Sequence, residues 1–209
     1  MKVLLVNGST KKDGCVCRAL EEAAAALNQE GIETEIVQMG AKPIHDCMGC
    51  NYCRREGKGR CVFSDDTVND WIEKAKSADG FLFGSPVYYA HPSGQILALL
   101  DRMFYAGAEY FRFKPGAAVL SARRAGTTAS MDVLNKYFTE NCMPVVSSNY
   151  WNMVHGNTPE QVDQDKEGMQ TMRNLARNMA WLLRCIEAGK EKGICPPEME
   201  TKWETNFIQ

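Results

Sequence analysis

Val3-Leu4-Leu5-Val6-Asn7-Gly8-Ser9-Thr10-Lys11-Lys12-Asp13-Gly14 opens the chain with an apolar run and stops it with small and polar residues. Four consecutive aliphatic residues leave no polar face, which is the pattern of a strand buried on both sides of a parallel sheet. Residues 17–30 then turn Ala- and Glu-rich, with Leu20, Ala23, Ala24 and Leu27 on one helical stripe and Gly31 placed to end the helix. Strand, polar loop and helix make the first unit of an α/β fold.

The alternation continues. Residues 33–37, Gly80-Phe81-Leu82-Phe83-Gly84, residues 117–120 and residues 144–146 read as four further strands. Helices are predicted over 67–75, started by Asp65-Asp66, and over 93–105, 131–140 and 159–188. The last carries Met169, Met172, Leu175, Ala176, Met179, Leu182, Leu183 and Ile186 at helical spacing, a stripe suited to a core or a subunit contact. Five strands alternating with five helices predict a doubly wound α/β domain, a parallel sheet with helices on both faces. One domain is expected over 1–188, with a cysteine-rich insertion at about 43–64. An irregular C-terminal tail over 189–209 is expected to pack on a neighbouring subunit.

Composition narrows the function classes. Hydrophobic residues at 44% and charged residues at 24% suit a folded globular chain and exclude a disordered one. A formal net charge of -2 provides no global field toward nucleic acid or anionic lipid, so any anion site must be local. The most apolar stretch, residues 80–90, is broken by Ser85 and Pro86 and is too short to span a bilayer. The first residues lack the pattern of a secretory signal, so a cytoplasmic location is expected.

Ligands of doubly wound sheets bind beyond the carboxyl ends of the strands, so the loops after strands one, three and four carry the most information. The first combines Ser9 with Lys11 and Lys12 and runs through Gly14 into a helix. Backbone N–H groups at that helix start, with the helix dipole behind them, make an anion site to which either lysine adds charge. Neither the P-loop Gly-Lys-Ser/Thr nor the Gly-x-Gly-x-x-Gly dinucleotide fingerprint is present. Ser85-Pro86-Val87-Tyr88-Tyr89 offers a rigid turn with backbone polar groups and aromatic surface. Ser121-Ala122-Arg123-Arg124-Ala125-Gly126-Thr127-Thr128 places two arginines beside a glycine. The competing readings are a plain polar connection, ordinary tyrosine packing and a solvated arginine pair.

Gly8-Ser9 with Lys11 and Gly14, then Gly84-Ser85-Pro86-Val87-Tyr88 with Ser93-Gly94 and Asp101-Arg102, together resemble the NADPH-dependent FMN reductase and iron-sulfur flavoprotein family over roughly residues 1–150. The resemblance implies a flavodoxin-like fold with strand order 2-1-3-4-5. It implies an FMN phosphate on the first loop, held by Ser9, Lys11, Gly14 and the backbone of Cys15, Val16 and Cys17. The flavin ring would lie against Ser85, Pro86, Val87, Tyr88 and Tyr89, with Ser93 nearby. Ala122, Arg123, Arg124, Gly126 and Thr127 would approach it from the third loop. Cys15-Val16-Cys17 departs from the hydroxyl residues common in the family, which shifts phosphate binding toward backbone N–H groups. A homodimer or homotetramer is implied as well.

Nine cysteines are many for such a chain, and Cys47, Cys50, Cys53 and Cys61 fall within fifteen residues. In a reducing compartment such crowding points to metal or redox chemistry. Thiolates this close repel one another unless a cation or cluster stabilises them. The segment resembles the compact cysteine motif of iron-sulfur flavoproteins, which hold a 4Fe-4S cluster, with a last interval at the long end for that motif. Two consecutive x2 intervals are more ferredoxin-like than zinc-like, and cysteines without metal are a third reading. His45, His91 and His155 form no catalytic constellation in sequence.

Three functions follow. The first is an NAD(P)H-dependent flavin or quinone-type reductase with hydride transfer to flavin N5, the cofactor carrying the chemistry. The second is an electron carrier taking electrons from ferredoxin through a cluster to FMN. The third is a zinc-stabilised binding module.

Overall fold

A computed structural model of the chain describes residues 1–201, 203, 205 and 207. Strands β1 (Lys2–Asn7), β2 (Glu33–Gln38), β3 (Gly80–Tyr88), β5 (Gly116–Ala122) and β6 (Met153–His155) form a parallel sheet in the order β2-β1-β3-β5-β6. A two-residue strand, β4 (His91–Pro92), folds back on β3 as an antiparallel hairpin. Leaving β4 aside, the order is the expected 2-1-3-4-5.

Side-chain alternation across the sheet separates two cores. Leu4, Val6, Phe81, Phe83, Ala118 and Leu120 face helices α3 (Val68–Ser77), α4 (Gly94–Gly107) and α5 (Thr127–Glu140). Val3, Leu5, Leu82, Ala117 and Val119 face α1 (Cys15–Gln29) and α7 (Lys166–Glu191). Both faces of the central strands are therefore dry, and their runs of aliphatic residues need no polar alternation.

Several elements differ from the sequence expectation, each for a local reason. The fifth sheet strand is not 144–146. Val145 makes one bridge to Gly116, after which Ser147 and Ser148 tie the chain to α7, and Met153–His155 returns as the strand. The long closing helix is two, α6 (Pro159–Gln164) and α7, because the Asp165 side chain accepts the Gly168 N–H at 2.9 Å and starts α7 afresh. α5 begins at Thr127, four residues earlier than expected, following Gly126 at φ 92°. β3 runs through Pro86 to Tyr88 where a turn was expected. The cysteine-rich segment contains a short helix, α2 (Tyr52–Arg55). Residues 192–201 form no helix or strand, and the rest of the expected tail falls partly outside the described residues. Among the described residues no helix is long and apolar enough to cross a membrane.

Candidate functional site: a flavin edge and a cysteine cleft

At the carboxyl edge of the sheet, the loop after β1 is pinned from below. Buried Asn7 accepts the Ser9 N–H at 3.1 Å, and its amide donates to Gln38 and to the Lys11 and Lys12 carbonyls at 2.5, 3.5 and 3.4 Å. Gln38 in turn donates to the Ser9 carbonyl at 2.6 Å. Gly8 donates to the Gly84 carbonyl at 2.9 Å, and a Cβ on Gly8 would lie 2.5 Å from that oxygen. This close approach locks the loop to β3.

The loop delivers the start of α1, where Gly14 is the N-cap, no side chain caps the helix, and its first turn carries no acidic residue. α5 also starts uncapped and without an acidic first turn, whereas α7 has both Asp165 as cap and Glu167. Two helix starts with neither a side-chain cap nor an acidic first turn suit an anionic ligand at this edge. With exposed Lys11 and Lys12, they meet the chemistry of a flavin phosphate.

The expected cofactor residues divide by what their side chains already do. Ser9 accepts from the Lys11 N–H at 3.1 Å. Ser85 accepts from the Ser93 N–H at 3.1 Å, and Ser93 caps α4 while donating to the Gly8 carbonyl at 3.2 Å. Thr127 is buried with its hydroxyl 3.0 Å from Met153 sulfur, and Ala122 is buried. Val16 packs against Gly84. Cys17 is buried beside Glu21, and burial above all raises its thiol to about 11. These side chains hold the loops together, so any contact they make with a ligand runs through backbone groups or a shared hydroxyl.

Lys11, Arg123, Arg124, Tyr88 and Tyr89 instead face solvent, and Pro86 and Val87 are half-buried. Tyr89 and Ala90 both adopt left-handed φ at the hairpin tip, which leans on Gly126; a Cβ there would lie 2.5 Å from the Ala90 Cα. His155, the histidine whose place after the fifth strand suggested the sheet's carboxyl edge, pairs in register with Ala122, and the following Gly156 carbonyl is 3.6 Å from Cys15 Sγ. The fifth-strand loop thus joins the start of α1.

Away from this edge, Cys47, Cys50, Cys53 and Cys61 line a single cleft with Met48, Phe63, Arg102 and Tyr105. Gly49 and Asn51, both at left-handed φ, turn the chain around Cys50. Burial raises the Cys53 thiol, and the neighbouring Cys61 and Cys47 add to the effect. Asn69 holds Cys61 by its backbone, accepting its N–H at 2.8 Å and donating to its carbonyl at 3.0 Å. Arg102 reaches the Cys61 sulfur at 3.2 Å. Asn69 went unmarked in sequence, and Asp101-Arg102 entered only as part of the family resemblance, with no sign of the contact to Cys61. Among the described residues no three His, Cys, Asp or Glu converge on one point as a single metal ion requires. A cluster does not need such convergence, because each thiolate binds a different iron.

The NADPH-dependent FMN reductase family model matches residues 1–158. An iron-sulfur flavoprotein of Methanocaldococcus jannaschii is 34% identical over 195 residues, covering 90% of this chain and 100% of that protein. An iron-sulfur flavoprotein of Methanosarcina thermophila is 29% identical over 197 residues, covering 92% and 100%. Among solved structures, an archaeal flavodoxin superposes with a TM-score of 0.59 at 14% identity over 88% of this chain and 99% of its own. A WrbA-like flavodoxin of Agrobacterium tumefaciens gives 0.63 at 16%, over 88% and 98%. Those two establish the fold, and the family match, read with the uncapped helix start and its lysines, establishes the rest: the chain belongs to the NADPH-dependent FMN reductase family of flavodoxin-like oxidoreductases.

Proposed function

We propose that this chain is an FMN-dependent oxidoreductase of the iron-sulfur flavoprotein type, with FMN at the carboxyl edge of the sheet and a 4Fe-4S cluster in the cysteine cleft. The observation that carries this reading is the meeting of all four clustered thiols on one cleft, beside a buried arginine. When bound, FMN supplies an exchange between two-electron and one-electron chemistry, and a cluster supplies single electrons.

The protein's own part is binding and charge. The start of α1 with Lys11 and Lys12 takes the phosphate, and the backbone of the 85–90 hairpin meets the polar edge of the ring. Tyr88 and Tyr89 offer aromatic surface to the ring or to an incoming substrate. Arg123 and Arg124 stand where they favour a negative charge on the ring or receive a nucleotide phosphate. α4 ties the two sites together, starting at Ser93 in the flavin loop and carrying Arg102 to the cleft, about 14 Å along its axis.

In this reading Cys47, Cys50, Cys53 and Cys61 would hold the cluster, which would serve to accept single electrons from a ferredoxin-class donor. A second reading, turnover of NAD(P)H directly at the flavin, is favoured by the exposed Arg123-Arg124 pair. Anaerobic stopped-flow reduction of the holoprotein separates them. Rapid bleaching by reduced ferredoxin with slow bleaching by NADPH or NADH supports the first. The reverse order, unchanged in a Cys50→Ala/Cys53→Ala variant, would transfer the assignment to the second.

A further inference from the structure

Among the described residues Arg102 is the largest fully buried side chain, 1% exposed on the inner face of α4. Its guanidinium is engaged on every nitrogen. Nη1 and Nη2 grip the Asp66 carboxylate and donate to the His45 and Phe63 carbonyls at 3.2 and 3.3 Å. The group also lies 5.1 Å from the centre of the Phe63 ring. Nε points the other way, to Cys61 Sγ. A buried ion pair contributes little net stability over apolar packing of the same volume, so stability alone is a weak reason for an arginine here. Nor is Arg102 needed to place Cys61, because Asn69 already holds that residue's N–H and carbonyl and also donates to the Phe63 carbonyl at 2.8 Å. What Arg102 alone adds at the sulfur is a donor and a permanent positive charge.

We propose that Arg102 is a positioning residue that sets the reduction potential of the cluster in this cleft, its Nε–H and charge at Cys61 favouring the reduced form, with Asp66 as the counterweight. The inference rests on the cluster reading above. The step concerned is the addition of one electron to the cluster from an external reductant, with all four sulfur–iron bonds kept and no proton gained or lost by Arg102. Added negative charge is stabilised by a donor to a ligand sulfur and by a nearby cation, as in other iron-sulfur sites. Asp66, whose side chain is 4% exposed, offsets part of that cation. The two residues must therefore act with opposite signs.

The test is an anaerobic spectroelectrochemical titration of cluster and FMN in wild type, Arg102→Gln, Arg102→Lys and Asp66→Asn, with iron and sulfide assayed in each. In Arg102→Gln the cluster midpoint is expected to fall. Its oxidised-to-reduced ratio at the wild-type midpoint rises about tenfold, about 59 mV for a one-electron couple. Arg102→Lys, which keeps a charge but loses the fork, falls between. Asp66→Asn moves the midpoint upward while its oxygen still accepts the Val68 N–H. The FMN midpoint stays in place in all three. A purely structural clamp would instead lower cluster content in every variant without opposite shifts, which would overturn the proposal. Unmoved midpoints at full iron would overturn it too. Should Arg102→Gln fail to fold, the upward shift in Asp66→Asn and the smaller downward shift in Arg102→Lys decide. Wild-type protein without iron or sulfide would overturn the cluster reading and this inference together, whereas iron-loaded wild type with unmoved variants overturns only the role of Arg102.

Discussion

A methyl group at residue 8 has nowhere to go. It would meet the Gly84 carbonyl at 2.5 Å and Ile96 Cδ1 at 2.6 Å, so Gly8→Ala must push the phosphate loop off β3. A loss of about 1–3 kcal/mol in urea unfolding is expected, with weaker FMN uptake in a fluorescence titration; unchanged stability would mean the loop yields freely. Cys17 supplies a pH test. Burial, with help from Glu21, raises its thiol from 9.0 to about 11, so the native state holds a proton that the unfolded chain releases sooner. That stability is complete below pH 9 and is lost as pH rises through about 11. Unfolding midpoints should decline over that window more steeply in wild type than in Cys17→Ala, and parallel curves would refute the assignment. The two residues were legible to different degrees. Gly8 stood within a recognisable loop, but its reason for being glycine lies in Gly84 and Ile96, far along the chain. Asn69 and Arg102 were less legible still, because Arg102 finds its partners 36 to 57 residues away.

At the level of elements, Asp165 decides how the chain leaves the sheet. One carboxylate oxygen caps α7 at Gly168 and the other accepts the His155 N–H at 2.7 Å, so the side chain joins the last strand to the last helix. Asp165→Ala is expected to lower stability by about 1–3 kcal/mol, combining a lost cap with an orphaned buried donor. Asp165→Asn, whose single amide oxygen serves only one of the two N–H groups and turns an NH2 toward the other, should lose less than Asp165→Ala in the same denaturation experiment. Equal losses would show that the joint needs both oxygens. This joint also explains where sequence reading failed. The apolar stripe of α7 continues the pattern of α6 closely enough to read as one helix, and only the turned-in Asp165 separates them. Likewise Pro144-Val145-Val146 has strand-like composition but makes a single bridge, while Met153-Val154-His155 gains its strand from pairing with β5. By contrast β1, β3 and β5 were plain in sequence because burial on both faces leaves an unbroken apolar run.

Across the whole molecule, the proposed flavin edge and the cysteine cleft share α4 but otherwise rest on different supports. The first is built from loops that the sheet itself holds, and the second from an insertion anchored to α3 and α4 by Asn69, Asp66 and Arg102. Loss of the clustered thiols should therefore leave the sheet and its flavin intact. Cys50→Ala/Cys53→Ala is expected to purify yellow, with FMN near one per chain and iron reduced to background; a protein that loses FMN as well would show the two sites to be one. The loops proposed to hold the flavin were singled out by their order on the strands, and the sheet brings them to one edge. The cleft was legible as a spacing of cysteines, but its other wall was not, since Arg102 and Tyr105 come from α4. The most direct measurement is the visible spectrum of anaerobically purified wild-type protein, paired with an iron and sulfide assay. Flavin bands over a broad additional absorption, with about four irons and four sulfides per chain, are the expected result. A colourless protein that takes up no added FMN and carries no iron would contradict it.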